Sequence, residues 1–344
     1  MFDNFFGNQE AAATLERMID GGRIPQTLLL AGPAGVGKAT LARRFAARLI
    51  GGATRIEKDD LSLPGNRALA SEREKWPAEK RNDDPLFYAS HPDFVTFAPD
   101  GPLRQISIRQ MRLVKQCAPF KPLEGARRVF LIDRIDRANE EASNSLLKTL
   151  EEPPEHLIVI LTAENPYDLL PTIRSRAVMV RLAPLSAAEM RAFAEACGLE
   201  EAPRRMALAA GSPGLARTLD LEVYDRRREA MLALLRSGSR AAPFAEWARQ
   251  AERVAAARSE KLDGYLETLY LLLEDLLHLR ESAGELRNPD VREQLEPIVS
   301  RVGLDWIRAA VQRTDELMEM VRRNVQKSIA LDGMVVELRR LSEA

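Results

Sequence analysis

Cysteine is almost missing from this chain: Cys117 and Cys197 are the only two in 344 residues. Two thiols exclude a disulfide framework and a four-thiolate metal site, and each reads as a small core residue. Net charge is equally scarce, at −1 from 50 basic and 51 acidic residues, so nothing draws the chain as a whole to nucleic acid. Any DNA contact has to be local or shared with partner chains. Long apolar runs are lacking too. Leu157–Leu161 and Leu271–Leu273 are far too short to cross a bilayer, and Met1-Phe2-Asp3-Asn4-Phe5-Phe6 has no basic segment leading into an apolar stretch. The expectation is a soluble cytoplasmic protein with no membrane partner. What is present is ordinary for a globular chain, with 45% hydrophobic and 29% charged residues. The length exceeds what one core usually fills, which predicts two or three domains.

From Thr27 to Leu182 short apolar runs alternate with amphipathic stretches, the pattern of a parallel sheet covered by helices on both faces. Strands are predicted at Thr27–Ala31, Phe94–Phe97, Val129–Ile132, Leu157–Leu161 and Val178–Leu182, with helices over Ala39–Leu49 and Ile106–Val114. Between Gly51 and Ser90 the alternation stops. That stretch is rich in charge and proline around a lone Trp76, and reads as an inserted, partly ordered surface excursion. Ala183-Pro184-Leu185-Ser186 marks a boundary, and short helices follow, interrupted by Gly211-Ser212-Pro213-Gly214. Ser237-Gly238-Ser239 reads as a second linker into a helical C-terminal third. There Leu262, Leu266, Leu269, Leu273 and Leu276 form one apolar helix stripe. Leu317, Val321, Leu331, Val335 and Leu338 fit a second, with Asn324 and Ser328 on the same line. The predicted division is 1–183, 184–238 and 239–344.

The run Gly32-Pro33-Ala34-Gly35-Val36-Gly37-Lys38 joins a predicted strand to a predicted helix. Its glycines let several N–H groups point at one anion, and Lys38 would reach the outer phosphates, so the run predicts a P-loop fold. Catalysis is another matter. The next position should carry a hydroxyl to ligate Mg²⁺, and it is Ala39; Thr40 lies about 100° further round the helix and is a poor substitute. Asp133 ends its strand where a magnesium-directed carboxylate belongs, but Arg134 follows where a carboxylate should orient the attacking water. Arginine is permanently protonated and has no acceptor, so it cannot do that work. Asp136 reads as a helix cap or a surface salt bridge rather than a replacement base.

The run Asn144-Ser145-Leu146-Leu147-Lys148-Thr149-Leu150-Glu151-Glu152-Pro153-Pro154, followed by Leu170-Pro171-Thr172-Ile173-Arg174-Ser175-Arg176, resembles the clamp-loader branch of the AAA+ ATPases. Gly7-Asn8-Gln9, His91-Pro92-Asp93 and Ile106–Arg112 fit the same branch. The resemblance is dense over roughly residues 5–50 and 90–220 and only general beyond. It implies an AAA+ P-loop domain, a small helical lid and an all-α collar. It also implies a heteropentameric ring with motor subunits of the gamma/tau type and a delta-like subunit of DNA polymerase III. Through that ring the chain would meet the sliding clamp and primed DNA. It further implies that Arg176 is offered in trans to ATP on the neighbouring subunit; the alternative for Arg176 is an internal salt bridge to Glu151 or Glu152, which otherwise read as solvated or interface charges, and Arg174 reads as a supporting or surface residue.

Several residues depart from the branch. Ala177 replaces its usual cysteine, and the four cysteines that bind zinc in many relatives are absent between the phosphate loop and His91, so no zinc is expected. Gly214 stands where motor subunits carry a phosphate-sensing arginine, with Arg217 nearby but off register, and Thr162 is placed at the polar sensor position. The reading is a largely non-hydrolysing subunit whose remnant site at Gly32, Gly35, Gly37, Lys38, Thr40 and Asp133 either takes ATP or ADP, with or without Mg²⁺, only weakly, or holds no nucleotide or only an anion. The alternatives are an autonomous ATP-hydrolysing motor subunit and an AAA+ regulatory subunit of a repair or recombination complex.

Overall fold

The structure is a computed structural model and describes residues 2, 5–257, 260–321 and 326–342. Residues 1–200 and 211–218 form one compact unit, and residues 201–210 and 219–344 a second. The first is an α/β unit built on a six-stranded sheet. Its strands are β1 (Thr27–Ala31), β2 (Phe87–His91), β3 (Phe94–Phe97), β4 (Arg128–Ile132), β5 (Leu157–Ala163) and β6 (Val178–Arg181), in the spatial order β2-β3-β4-β5-β1-β6. All pairings are parallel except the β2–β3 edge. Side chains alternate along each central strand, so the sheet feeds two cores. Leu28, Leu30, Val129, Leu131, Ile158 and Ile160 meet Phe45 and Leu41 on one face. Leu29, Phe130, Ile132, Val159 and Leu161 meet Met111, Val114 and Leu146 on the other. This is the expected AAA+-type arrangement, and the predicted strands stand in it.

Two devices fix the loops around the sheet. Ser107 caps the helix Ile108–Cys117, its hydroxyl accepting from the Gln110 N–H while the Gln110 side chain accepts from the Ser107 N–H. Asp93, fully buried, accepts N–H bonds from Leu123, Glu124 and Gly125. Burial opposes its charge, but those three donors outweigh it and hold its carboxyl below the usual range.

The 51–90 stretch is folded more fully than its composition predicts. It contains the helices Ala53–Ile56, Pro64–Arg73 and Ala78–Asp83, and it ends in β2, an edge strand of the sheet. Its anchor is electrostatic. The Arg73 side chain, 3% exposed, grips Asp100 through Nε and Nη2 and Asp84 through Nη1. A buried ion pair between residues far apart in sequence leaves no periodic trace.

The second unit is all helical. Leu221–Gly238, Phe244–Ala256, Leu262–Glu281, Leu304–Val321 and Lys327–Leu341 pack around one apolar core. All five leucines of the first predicted stripe are buried in it. At its centre Trp247 is fully buried and donates from Nε1 to Asp332 Oδ1 at 2.7 Å. The second stripe is divided between two helices: Leu317 lies on Leu304–Val321, and Leu331, Val335 and Leu338 lie on Lys327–Leu341. Asn324 and the Val321 side chain lie outside the described residues, and Ser328 is half-buried.

The linker read at Ser237–Ser239 is corrected. Ser237 and Gly238 form the last turn of the helix Leu221–Gly238, and Ser237 and Ser239 are buried. The glycine is there for close approach, since a Cβ would meet Leu338 Cβ at 3.0 Å. We therefore expect Gly238→Val to lower unfolding stability by about 1–3 kcal/mol through overpacking, measured by denaturant titration. An unchanged midpoint would show that the helices part without cost. Cys117 is half-buried, but Cys197 is exposed at the end of the helix Ala187–Cys197, contrary to its reading as a core residue.

Candidate functional site

The phosphate loop follows β1 and opens the helix Lys38–Ile50. Gly32, Gly35 and Gly37 have φ of 155°, 75° and 99°, backbone conformations that side-chain-bearing residues rarely adopt. Gly32 is also tight: a Cβ there would fall 2.1 Å from the Leu182 carbonyl oxygen. Lys38 is 7% exposed and turns back on its own loop, donating from Nζ to the Gly32 carbonyl at 2.6 Å and the Pro33 carbonyl at 2.7 Å. Burial pushes its ammonium pKa down, while Glu164, Asp133 and Asp136 pull it back up.

Other parts of the same unit close on the loop. The Gly214 N–H donates to the Gly35 carbonyl at 2.8 Å, and a Cβ at Gly35 would meet Leu215 at 2.9 Å. The ring of Phe5 lies against Gly37. Arg217, two residues after Leu215, is exposed.

The acidic half of the site is rearranged. Asp133 ends β4, and its Oδ1 accepts a 2.6 Å hydrogen bond from Thr162 Oγ1 near the end of β5. Thr162 in turn accepts from the Arg134 N–H. Arg134 itself has φ 58°, unusual for a side-chain-bearing residue, and its guanidinium pairs with Glu164. Asp136 is neither a helix cap nor half of a surface salt bridge. Its Oδ2 accepts from the Glu164 N–H at 3.1 Å, and burial pushes its carboxyl pKa up. The sequence pointed to Asp133 and Thr162 but missed Glu164 as the partner of Arg134, because 30 residues separate them.

This donor set suits Mg²⁺ poorly. Ala39 supplies no side-chain oxygen where the ion would need a ligand, Asp133 is engaged by Thr162, and two cations, Lys38 and Arg134, already sit among the carboxylates. Thr40 is half-buried one position past Ala39.

Arg176 lies elsewhere. Leu28 pairs with Val178 and Ala31 with Arg181. Arg176 thus precedes the start of β6, whereas the phosphate loop follows the opposite end of the neighbouring β1. The side chain is exposed, donating from Nη2 to Glu151 Oε1 at 2.7 Å and from Nη1 to the Thr172 carbonyl at 2.8 Å. The structure therefore brings Gly32, Gly35, Gly37, Lys38 and Asp133 together and sets Arg176 apart from them.

A mostly parallel sheet, a glycine loop at a strand–helix junction and an aspartate ending a nearby parallel strand fit the AAA+-type P-loop fold, and Arg134 follows that aspartate. The family model described as DNA polymerase III, delta subunit, matches residues 7–186, over half of the chain, and the chain belongs to that family. It is 32% identical over 231 residues to DNA polymerase III subunit delta' of Pseudomonas aeruginosa, covering 63% of this chain and 64% of the relative. To DNA polymerase III subunit delta' of Escherichia coli K12 it is 30% identical over 206 residues, covering 59% and 60%. DNA polymerase III subunit gamma/tau of Mycobacterium tuberculosis H37Rv is 30% identical over 181 residues, 51% of this chain and 27% of the relative. The matches span less than two thirds of these relatives' own lengths. A crystal structure of a gamma subunit-related protein from Thermotoga maritima covers 96% of this chain and 99% of its own at 16% identity, with a TM-score of 0.46, too distant to argue from. Among the described residues no helix is long and apolar enough to cross a membrane.

Proposed function

We propose that this chain is a largely non-hydrolysing subunit of the DNA polymerase III clamp loader, organised as a P-loop domain, a small helical lid and a helical collar whose core includes the helix Leu221–Gly238. It stands in a heteropentameric ring beside gamma/tau-like and delta-like subunits, and through that ring acts on the sliding clamp at primed DNA. Its own site performs no chemistry. Arg176 instead reaches ATP bound by the neighbouring subunit, where a planar, permanent cation stabilises charge on the transferring phosphoryl group. The observation that carries this reading is the separation of two arginines. Arg134 sits paired to Glu164 inside the chain's own site, while Arg176 is exposed at the other end of the sheet.

The test uses the purified chain. ATP turnover will stay at background and will not change in Lys38→Ala, and calorimetric titration with ADP will give the same weak affinity with and without Mg²⁺. Turnover that depends on Lys38, or a tenfold gain in affinity with Mg²⁺, would identify a motor subunit instead.

A further inference from the structure

Three acids crowd the end of the sheet beside the phosphate loop. Asp133 follows β4, Asp136 lies on the short turn Ile135–Arg137 and Glu164 follows β5, and all three act electrostatically on Lys38. Grouped carboxylates repel one another, so a folded site of this kind needs a cation among them. Lys38 is committed elsewhere, its ammonium donating to the Gly32 and Pro33 carbonyls. Arg134 is the cation that meets an acid directly, through Nη2 to Glu164 Oε1. Its backbone is fixed for that contact. The Arg134 N–H donates to Thr162 Oγ1 at 2.8 Å, Thr162 donates on to Asp133 at 2.6 Å, and φ at Arg134 is 58°. One residue thus joins Glu164 through its side chain and Asp133 through its backbone. Asp136 accepts from the Glu164 N–H at 3.1 Å, and its Oδ1 is buried with no hydrogen-bond partner. Burial pushes that carboxyl up, and the charge of Arg134 opposes the push.

We propose that Arg134 is a built-in counter-ion: its guanidinium holds Asp133, Asp136 and Glu164 together as a divalent cation would, so the site keeps its form independently of metal and turns metal-bound nucleotide away. The exclusion of nucleotide rests on the function proposed above; the independence from metal does not. A guanidinium suits the first task, because it is charged at every relevant pH and its planar fork matches carboxylate oxygens. It is unfit for hydrolysis, because it has no open coordination position at which to hold a phosphate oxygen or a water. The arginine therefore does more than take the place of a base. It supplies the charge that a metal would bring, and it leaves the acids stable without one.

Thermal unfolding of the full chain without nucleotide, in EDTA and in millimolar Mn²⁺, tests this on wild type and three variants. Mn²⁺ is the probe because it takes the same oxygen ligands as Mg²⁺. Wild type will melt at the same temperature in both buffers. Arg134→Met will melt about 4 °C lower in EDTA and will recover most of that loss in Mn²⁺, since a bound ion stabilises the folded state by mass action. Arg134→Lys, which keeps the charge, will show no response to Mn²⁺. Arg134→Met/Glu164→Gln, with one acid fewer, will melt closer to wild type in EDTA and gain less from Mn²⁺. An Arg134→Met midpoint that is unchanged, or that falls equally in both buffers, overturns the counter-ion. If Arg134→Met folds in neither buffer, a folded double variant upholds the charge argument and an unfolded one overturns it. A wild-type midpoint that rises with Mn²⁺ while ATP turnover stays at background overturns this inference and spares the proposed function.

Discussion

Arg176→Ala will lower DNA- and clamp-stimulated ATP hydrolysis at the neighbouring site on the order of a thousandfold, the magnitude typical of an arginine supplied in trans, without releasing the subunit from the complex. The Glu151 pair does not argue against this. Both side chains are exposed, and a solvent-exposed ion pair contributes little that a new partner cannot replace. On the proposed trans role, Glu151 is only a resting partner that the guanidinium leaves. It follows that Glu151→Gln should leave turnover close to wild type, because the arginine is needed and its resting partner is not. Arg176→Lys should recover little, since an ammonium lacks the planar fork that matches phosphoryl oxygens. Steady-state hydrolysis by the reconstituted complex decides it. Turnover unchanged by Arg176→Ala would end the trans role.

The second large effect is structural. Arg73→Ala will destabilise the α/β unit by about 3–5 kcal/mol, the range for breaking a buried ion pair by removing one member. The lower end applies, because only one of the two acids is left stranded. Asp100 is 8% exposed and would lose its cation, whereas Asp84, 66% exposed, can turn to water. Arg73→Met combined with Asp100→Asn should recover part of the loss by removing both charges together. The damage should be local first, with hydrogen exchange and limited proteolysis rising across residues 53–86 before the central strands respond. Wild-type exchange rates there would mean that the Phe87–Phe97 pairing and the two hydrogen bonds from Gln110 Nε2, to the Leu86 and Ala98 carbonyls, hold the stretch unaided.

The strands could be read from the sequence because Leu28-Leu29-Leu30 and Leu157–Leu161 are apolar at every position, as a sheet covered on both faces requires. The phosphate loop could be read because glycine spacing reports backbone conformation directly. Glycine misled at position 238, where the same residue type that marks a linker serves close helix packing against Leu338. The 51–90 stretch looked loosely ordered because its fixing contacts are charges paired across space, which composition counts as polarity. Arg134 was recognised as a chemical misfit, but its pairing with Glu164 required the fold to bring β4 and β5 side by side.

The hydrogen bond between Gly214 and Gly35 bears on which side chains position 214 can carry. An arginine at position 214, the residue that resemblance places there in motor subunits, would bring its first side-chain carbon to 2.9 Å from the Gly35 carbonyl oxygen. A side chain at that position therefore requires the two backbone segments to shift apart.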